Sequence, residues 1–140
     1  MNISKFTQKS IEVVNNIEKV AYDYNNQELA EEHLLYSMLT VEESLISRLL
    51  EKMEISRDVF LAQVEGLIAK RPKVSGGKMY MSEDLNKVLI YAEDEAKHMG
   101  DEYVSLEHIF LSMLKHPSKE IKGLFKDFRI DRERFLMALS

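Results

Sequence analysis

The chain has 140 residues, of which only five are glycine and two proline, well under half of an ordinary usage of ~12%. That shortage excludes collagen-like, linker-like and turn-dense all-β chains and favours long helices joined by few turns. With 45% apolar residues, 31% charged residues and a net charge of -5, the composition is that of a soluble globule rather than a disordered tail, and sequence-independent binding to nucleic acid is not expected. The absence of cysteine excludes disulfides, thiolate metal sites and a cysteine nucleophile. No apolar run approaches the ~20 residues needed to span a bilayer. Met1 to Phe6 lacks the apolar core of a signal peptide, so the expected location is cytoplasmic, away from membranes.

Ile3, Phe6, Val13, Ile17, Val20 and Tyr24 recur at helical spacing and predict one long first helix, capped by Ser4 or Asn2. Leu34, Leu35, Met38 and Leu39 put an apolar face on a short second helix. Ile46, Leu49, Leu50 and Met53 mark a third, capped by Ser44, and Ser56 begins a fourth with Phe60 on its buried face. Gly66 to Lys70 finishes that helix. Arg71-Pro72-Lys73-Val74-Ser75-Gly76-Gly77-Lys78 then reads as a linker. The stretch carries Lys70, Arg71, Lys73 and Lys78 and no acid; this predicts either a solvated loop or a docking site for acidic groups. Leu85, Val88, Leu89, Ala92, Ala96 and Met99 predict a fifth helix, with Ser82 as N-cap and Gly100 as its stop. Ile109, Phe110, Met113 and Leu114 predict a sixth, capped by Ser105 and followed by Pro117. Ile121, Leu124, Phe125 and Phe128 predict a seventh, and Asp131 opens an eighth with Phe135 buried. No stretch alternates with period two long enough for a strand.

The two halves are one pattern written twice. Glu32-His33-Leu34-Leu35-Tyr36-Ser37-Met38-Leu39 reads against Glu107-His108-Ile109-Phe110-Leu111-Ser112-Met113-Leu114 at an offset of 75. The same register pairs Val13 with Val88, Ala21 with Ala96, Ile55 with Ile130 and Phe60 with Phe135, without a gap. A duplication of this kind sets the fold. The expected architecture is all-α: one domain over 1–140, built of two tandem four-helix repeats (about 6–65 and 81–140, with a linker about 66–80) related by pseudo-two-fold symmetry. Helices one and five are the expected seam.

Catalytic motifs are missing. Gly76-Gly77-Lys78 is no phosphate-binding loop, and no His-Glu-x-x-His occurs. In the Glu32-His33 and Glu107-His108 pairs, neighbouring helical positions point ~100° apart and do not chelate one ion; packed histidines are expected instead. Met38, Met53, Met113 and Met137 fall at core spacing, whereas Met79, Tyr80 and Met81 stand at an exposed linker–helix junction.

Asn26-Gln27-Glu28-Leu29-Ala30-Glu31-Glu32-His33-Leu34-Leu35, Gly100-Asp101-Glu102-Tyr103-Val104-Ser105-Leu106-Glu107-His108, Phe6-Thr7 and Pro72-Lys73-Val74-Ser75-Gly76 together resemble the Clp N-terminal repeat domain. Within that family the linker and Gly-Asp-Glu-Tyr-Val-Ser are most like ClpB-type disaggregase chaperones. The resemblance implies a substrate-recognition module of a hexameric ATP-driven unfoldase. It implies unfolded or aggregated polypeptide as partner, adaptor proteins as a further one, and a monomeric module when isolated. It carries substrate contact to Thr7, Asp101 and Glu107, with Tyr91 in an apolar wall. Glu95 and His108 stand where some relatives have larger apolar residues. Glu31 replaces a frequent proline, with an expected effect on the helix start alone.

No nucleotide-binding motif is present, so no cofactor and no catalysis are expected of this chain; ATP and magnesium would belong to motor domains beyond it. Ser140 ending with the last helix favours a piece of a longer chaperone over a stand-alone homologue. The alternative is the ClpC/ClpA type, which receives adaptors or phosphoarginine-marked substrates; Glu32 and Glu107 would then each hold a guanidinium.

Overall fold

The computed structural model describes residues 3–140. After a 3-10 turn at Ile3–Lys5, the first half contains α1 (Gln8–Asn15), α2 (Ile17–Asp23), β1 (Glu28–Leu29), α3 (Glu31–Thr40), α4 (Leu45–Lys52) and α5 (Arg57–Ala69). The second contains β2 (Tyr80–Met81), α6 (Glu83–His98), α7 (Leu106–Lys115), α8 (Lys119–Asp127) and α9 (Arg132–Leu139). The all-α architecture in two four-helix halves is as the periodicity predicts, with the first helix divided. Asn16 interrupts it, its N–H shared between the carbonyls of Glu12 and Val13 at 3.2 Å each. Two consecutive asparagines are poor helix formers, and here they mark the joint between α1 and α2.

The helix starts follow local capping chemistry. Ser44, Ser56, Ser82 and Asp131 each accept the N–H three residues on, satisfying one of the free donors of the first turn. The first helix departs from expectation: its N-cap is Thr7, Ser4 lies in the preceding turn, and Asn2 lies outside the described residues. Helix ends repeat at the 75-residue offset too. Asn25 and Gly100 adopt φ 59° and 73°, and Glu54 and Arg129 adopt 61° and 56°. All four hold the left-handed position that closes a helix; Gly100 and Asn25 are residue types that mark it in sequence, Glu54 and Arg129 are not.

A small parallel pairing escapes the sequence pattern. Leu29 pairs with Met81 between β1 and β2, and Phe6 pairs with Val104 in an isolated bridge. The two are the same contact moved by 75. Each spans so few residues that no alternation builds up.

The halves do not meet along the predicted seam. α4 packs on α7 and α9, α3 on α6, and α5 on α8, so α6 meets the first half through α3 rather than through the first helix. Phe60 of α5 meets Phe128 edge-on at 5.0 Å, and Phe110 stacks on Phe135 at 4.5 Å. Met38, Met53 and Met113 are buried as expected; Met137 is 72% exposed, because the final helix turns that face outward. Met79 and Met81 are half-buried against the core, leaving Tyr80 exposed between them.

Arg134 ties the junction from a single position. Its guanidinium donates to the Met53 carbonyl, to Phe128 O at 3.0 Å and to Arg129 O at 2.9 Å. Met53 and Phe128 are repeat equivalents that end α4 and α8, so one cation joins matching helix C-termini, where the dipole favours positive charge. The equivalent of Arg134 in the first half is Val59, which is exposed. Arg134→Ala should lower stability by about 2 kcal/mol in denaturant melts. Arg134→Lys should recover only part of it, since an ammonium cannot fork across three carbonyls.

Candidate functional site

Two buried histidines organise the chain where helix pairs cross. His33 Nδ1 accepts the Ala30 N–H at 2.9 Å, and His108 Nδ1 accepts the Ser105 N–H at 2.8 Å. With Nδ1 accepting, Nε2 carries the proton and donates to Asn26 Oδ1 at 2.9 Å and to Asp101 Oδ2 at 2.8 Å. Each ring therefore caps its helix and fastens the turn that closes the preceding one. The packed-histidine reading holds for both. Burial, helped by the Arg71 guanidinium, holds His33 down at about 4, in keeping with a neutral ring whose Nδ1 must accept.

Thr7 and Ser82 occupy matching places beside these crossings. Thr7 N–H donates to Val104 O at 3.0 Å and Ser82 N–H to Leu29 O at 2.9 Å. In the first half this brings Ser82 and Glu32 onto one cavity wall. In the second half the matching pair is Thr7 and Glu107. Thr7 Oγ1 accepts the Ser10 N–H at 3.1 Å and donates to Ser10 Oγ at 3.0 Å, so its hydroxyl also caps α1. Asp101 is half-exposed and offers a carboxylate oxygen beyond its bond to His108. Glu107 stands in the first turn of α7, and its Oε1 is buried without a partner. Thr7 thus sits at the Phe6–Val104 bridge, and Asp101 and Glu107 flank Val104 in the chain.

Tyr91 stands apart, seven residues before the end of α6, ~10 Å along the helix. It is 42% exposed, and its ring lies 4.9 Å from that of His116. Burial, with Lys87 and Lys115 close by, keeps His116 below its ordinary value of 6.5. Glu95 and His108 are both committed to polar contacts. Glu95 is buried and accepts from Arg132 at 2.8 Å; its cavity of about 430 Å³ also exposes His98, Lys115 and Arg132. His108 is spent on its cap.

The first half carries a differently filled version of the Thr7–Glu107 arrangement. Arg71 reaches back from the linker to Glu28 and to Glu32, the latter at 3.0 Å. The basic linker thus meets acidic groups of its own chain, and Glu32 already holds a guanidinium. Beside it Glu31 is fully buried with both carboxyl oxygens unpaired. Burial pushes Glu31 up to about 8, with Asp84, Glu32 and Glu120 adding to the rise and the Ser118 backbone opposing it. Burial raises Glu32 as well, against the pull of Arg71. Glu31 therefore does far more than alter a helix start. Its repeat equivalent is Leu106, buried, and that mismatch, with the acid in place of a frequent proline, is the sequence signal pointing to it; Arg71 had none beyond its charge. Among the described residues no cluster of His, Asp and Glu could hold a metal, and no helix is long and apolar enough to cross a membrane.

A carboxyl that titrates at about 8 when folded and near its ordinary 4.5 when unfolded binds its proton more tightly in the native state. Its contribution to stability is complete below about 4.5 and is lost as pH rises through about 8. Glu31→Gln, which stays neutral, should match the parent near pH 4.5 and exceed it by on the order of 2 kcal/mol at pH 7, read as the difference in unfolding free energy across a pH series.

Comparison with known proteins places this architecture. The family model described as Clp repeat (R) N-terminal domain matches residues 5–128. The chaperone protein ClpB of Nitratidesulfovibrio vulgaris is 37% identical over 100% of this chain, which spans 17% of that relative. The ClpB of Bdellovibrio bacteriovorus is 36% identical over 96% of this chain and 16% of its own length. Among solved structures, the Hsp104 N-terminal domain from Candida albicans superposes with TM-score 0.83 at 22% identity, covering 96% of this chain and 89% of that one. A complex of the ClpV N-domain with a VipB peptide gives TM-score 0.73 at 20% identity, covering 90% and 80%. With its family matched across both halves, this chain belongs to the Clp repeat (R) N-terminal domain family.

Proposed function

We propose that this module recognises unfolded or aggregated polypeptide for a ClpB-type ATP-driven disaggregase, with Thr7, Asp101 and Glu107 as polar anchors. The observation that carries the reading is the Phe6–Val104 bridge, which sets Thr7 against the segment that carries Asp101 and Glu107. Glu107 keeps a carboxyl oxygen without a partner there, and Asp101 is half-exposed. Exposed Tyr103 beside them offers apolar area. Tyr91 adds a second apolar contact farther along α6. Exposed side chains of this kind stabilise a bound chain by ~25 cal/mol per Å² buried, so one module binds weakly after association costs. A hexameric ring would raise the apparent affinity through avidity. ATP and magnesium would act on motor domains outside this chain. That one solved relative is a ClpV N-domain with a VipB peptide supports polypeptide as the ligand class.

The adaptor or phosphoarginine reading uses Glu32 and Glu107 as a pair. It requires Arg71 to leave Glu32, so the filled first-half site favours polypeptide capture over paired guanidinium recognition.

The test must separate binding from capping. Thr7→Ser keeps a cap hydroxyl, and Asp101→Asn keeps an acceptor for His108, as Asn26 does for His33. Combined with Glu107→Gln, these changes should leave helicity and melting temperature near parental and weaken binding of a permanently unfolded polypeptide about tenfold by NMR titration. Unchanged affinity with native helicity would remove the three residues from the site.

A further inference from the structure

The cavity of about 470 Å³ where the halves and linker meet holds more unpaired carboxyl oxygen than the fold needs. The N-termini of α3, α6 and α8 converge on it: Glu31 and Glu32 open α3, Ser82 caps α6, and Ser118 caps α8. Their partial positive charges offset carboxylates gathered there. Arg71 fills one arm through Glu28 and Glu32. Among the described residues the other arm holds no cation. Glu31 lines it with 0% exposure and neither oxygen in a hydrogen bond of ordinary geometry, although the Ser118 backbone acts on its carboxyl, and Glu32 Oε1 is likewise buried and unpaired. Because the repeat places Leu106 at the position of Glu31, the scaffold itself does not require a carboxyl there.

We propose that this cavity is a recognition site for a lysine ammonium group, held by both oxygens of Glu31 and by Oε1 of Glu32. Three vacant acceptors match the three donors of an ammonium, a compact charge on a slender stem. A second guanidinium is disfavoured, because Arg71 already occupies the arm that offers two adjacent carboxylates. Binding exchanges charge without leaving a buried ion unpaired: Glu31 gives up its proton to solvent, and its carboxylate accepts from the ammonium. The charged groups facing Glu31 are Glu32 on its own helix, Glu28 on β1, Arg71 in the linker, Glu83 and Asp84 on α6, and Glu120 on α8. The acids exceed the single cation, so an arriving ammonium relieves repulsion that the Glu31 proton otherwise relieves. This site is separate from the Thr7–Glu107 edge and does not rest on the polypeptide reading.

The test is a titration of the whole chain, labelled with 13C at the glutamate carboxyl carbons, with Nα-acetyl-lysine amide at pH 7 and pH 9. The Glu31 and Glu32 carbons should shift. The apparent affinity should rise about tenfold between the two pH values, since roughly one-tenth of Glu31 is ionised at pH 7 if it titrates at about 8. Glu31→Leu, which installs the residue of the second repeat, should fold with parental helicity and abolish the response. The Nε-acetylated probe should not bind. Binding of equal strength in Glu31→Leu, a pH-independent affinity, or an equal response to Nα-acetyl-arginine amide would each overturn the assignment. None of these outcomes bears on binding of an unfolded polypeptide to Thr7, Asp101 and Glu107.

Discussion

Each half of the molecule is fastened by one neutral imidazole that accepts a backbone N–H on one side and donates to a turn on the other. A charged ring could not do both, since a protonated Nδ1 has no lone pair to offer. Burial supplies the condition, holding His33 neutral to about 4. Once the crossing is fixed, the extended residues beside it are aligned for parallel pairing, Leu29 with Met81 and Phe6 with Val104. That pairing sets Ser82 on one cavity wall with Glu32 and brings Thr7 to the matching place in the second half. The positions of the candidate anchors thus depend on a hydrogen bond that none of them makes directly, apart from Asp101.

On this common frame the halves have diverged by local substitution. Asn26 and Asp101 accept the same proton from the same ring, one neutral and one charged. Glu31 stands where Leu106 stands, and only the first half has a linker arginine to answer its acids. Tyr91 and His116 make a ring contact where the first half has Asn16 and Val41. There the space is instead a cleft of about 510 Å³. The junction is asymmetric too, with Arg134 bonding both matching helix ends and Val59 left exposed in its equivalent place. Duplication gave a self-complementary scaffold, and unequal filling left one edge with unpaired polar side chains and one acidic cavity.

Features governed by near neighbours were legible. Apolar spacing located the helices because one face of each must be buried. Ser44, Ser56, Ser82 and Asp131 were readable as caps because capping spans three residues. The offset of 75 carries the two-fold plan, because equivalent positions bury equivalent side chains. Thr7 was missed as a cap because Phe6, which reads as part of the helical stripe, belongs to the bridge with Val104. Met137 sits at core spacing yet faces outward, since its helix meets too few neighbours to be covered all round. The alternate candidates Glu32 and Glu107 were found by their repetition, but not that Arg71 occupies one of them.

By itself, then, the amino-acid sequence determined the helix content, the duplication, the linker, the family pattern and most helix ends, all consequences of short-range periodicity or self-similarity. Only the tertiary structure decided where the halves join, that Arg71 closes on Glu32 thirty-nine positions away, and that Glu31 is enclosed without a partner. The physical reason is that desolvation and ion pairing depend on what surrounds a group in space. Glu31 and Glu32 are adjacent acids in the chain; one has a guanidinium beside it and the other has none, and nothing in their local sequence distinguishes them.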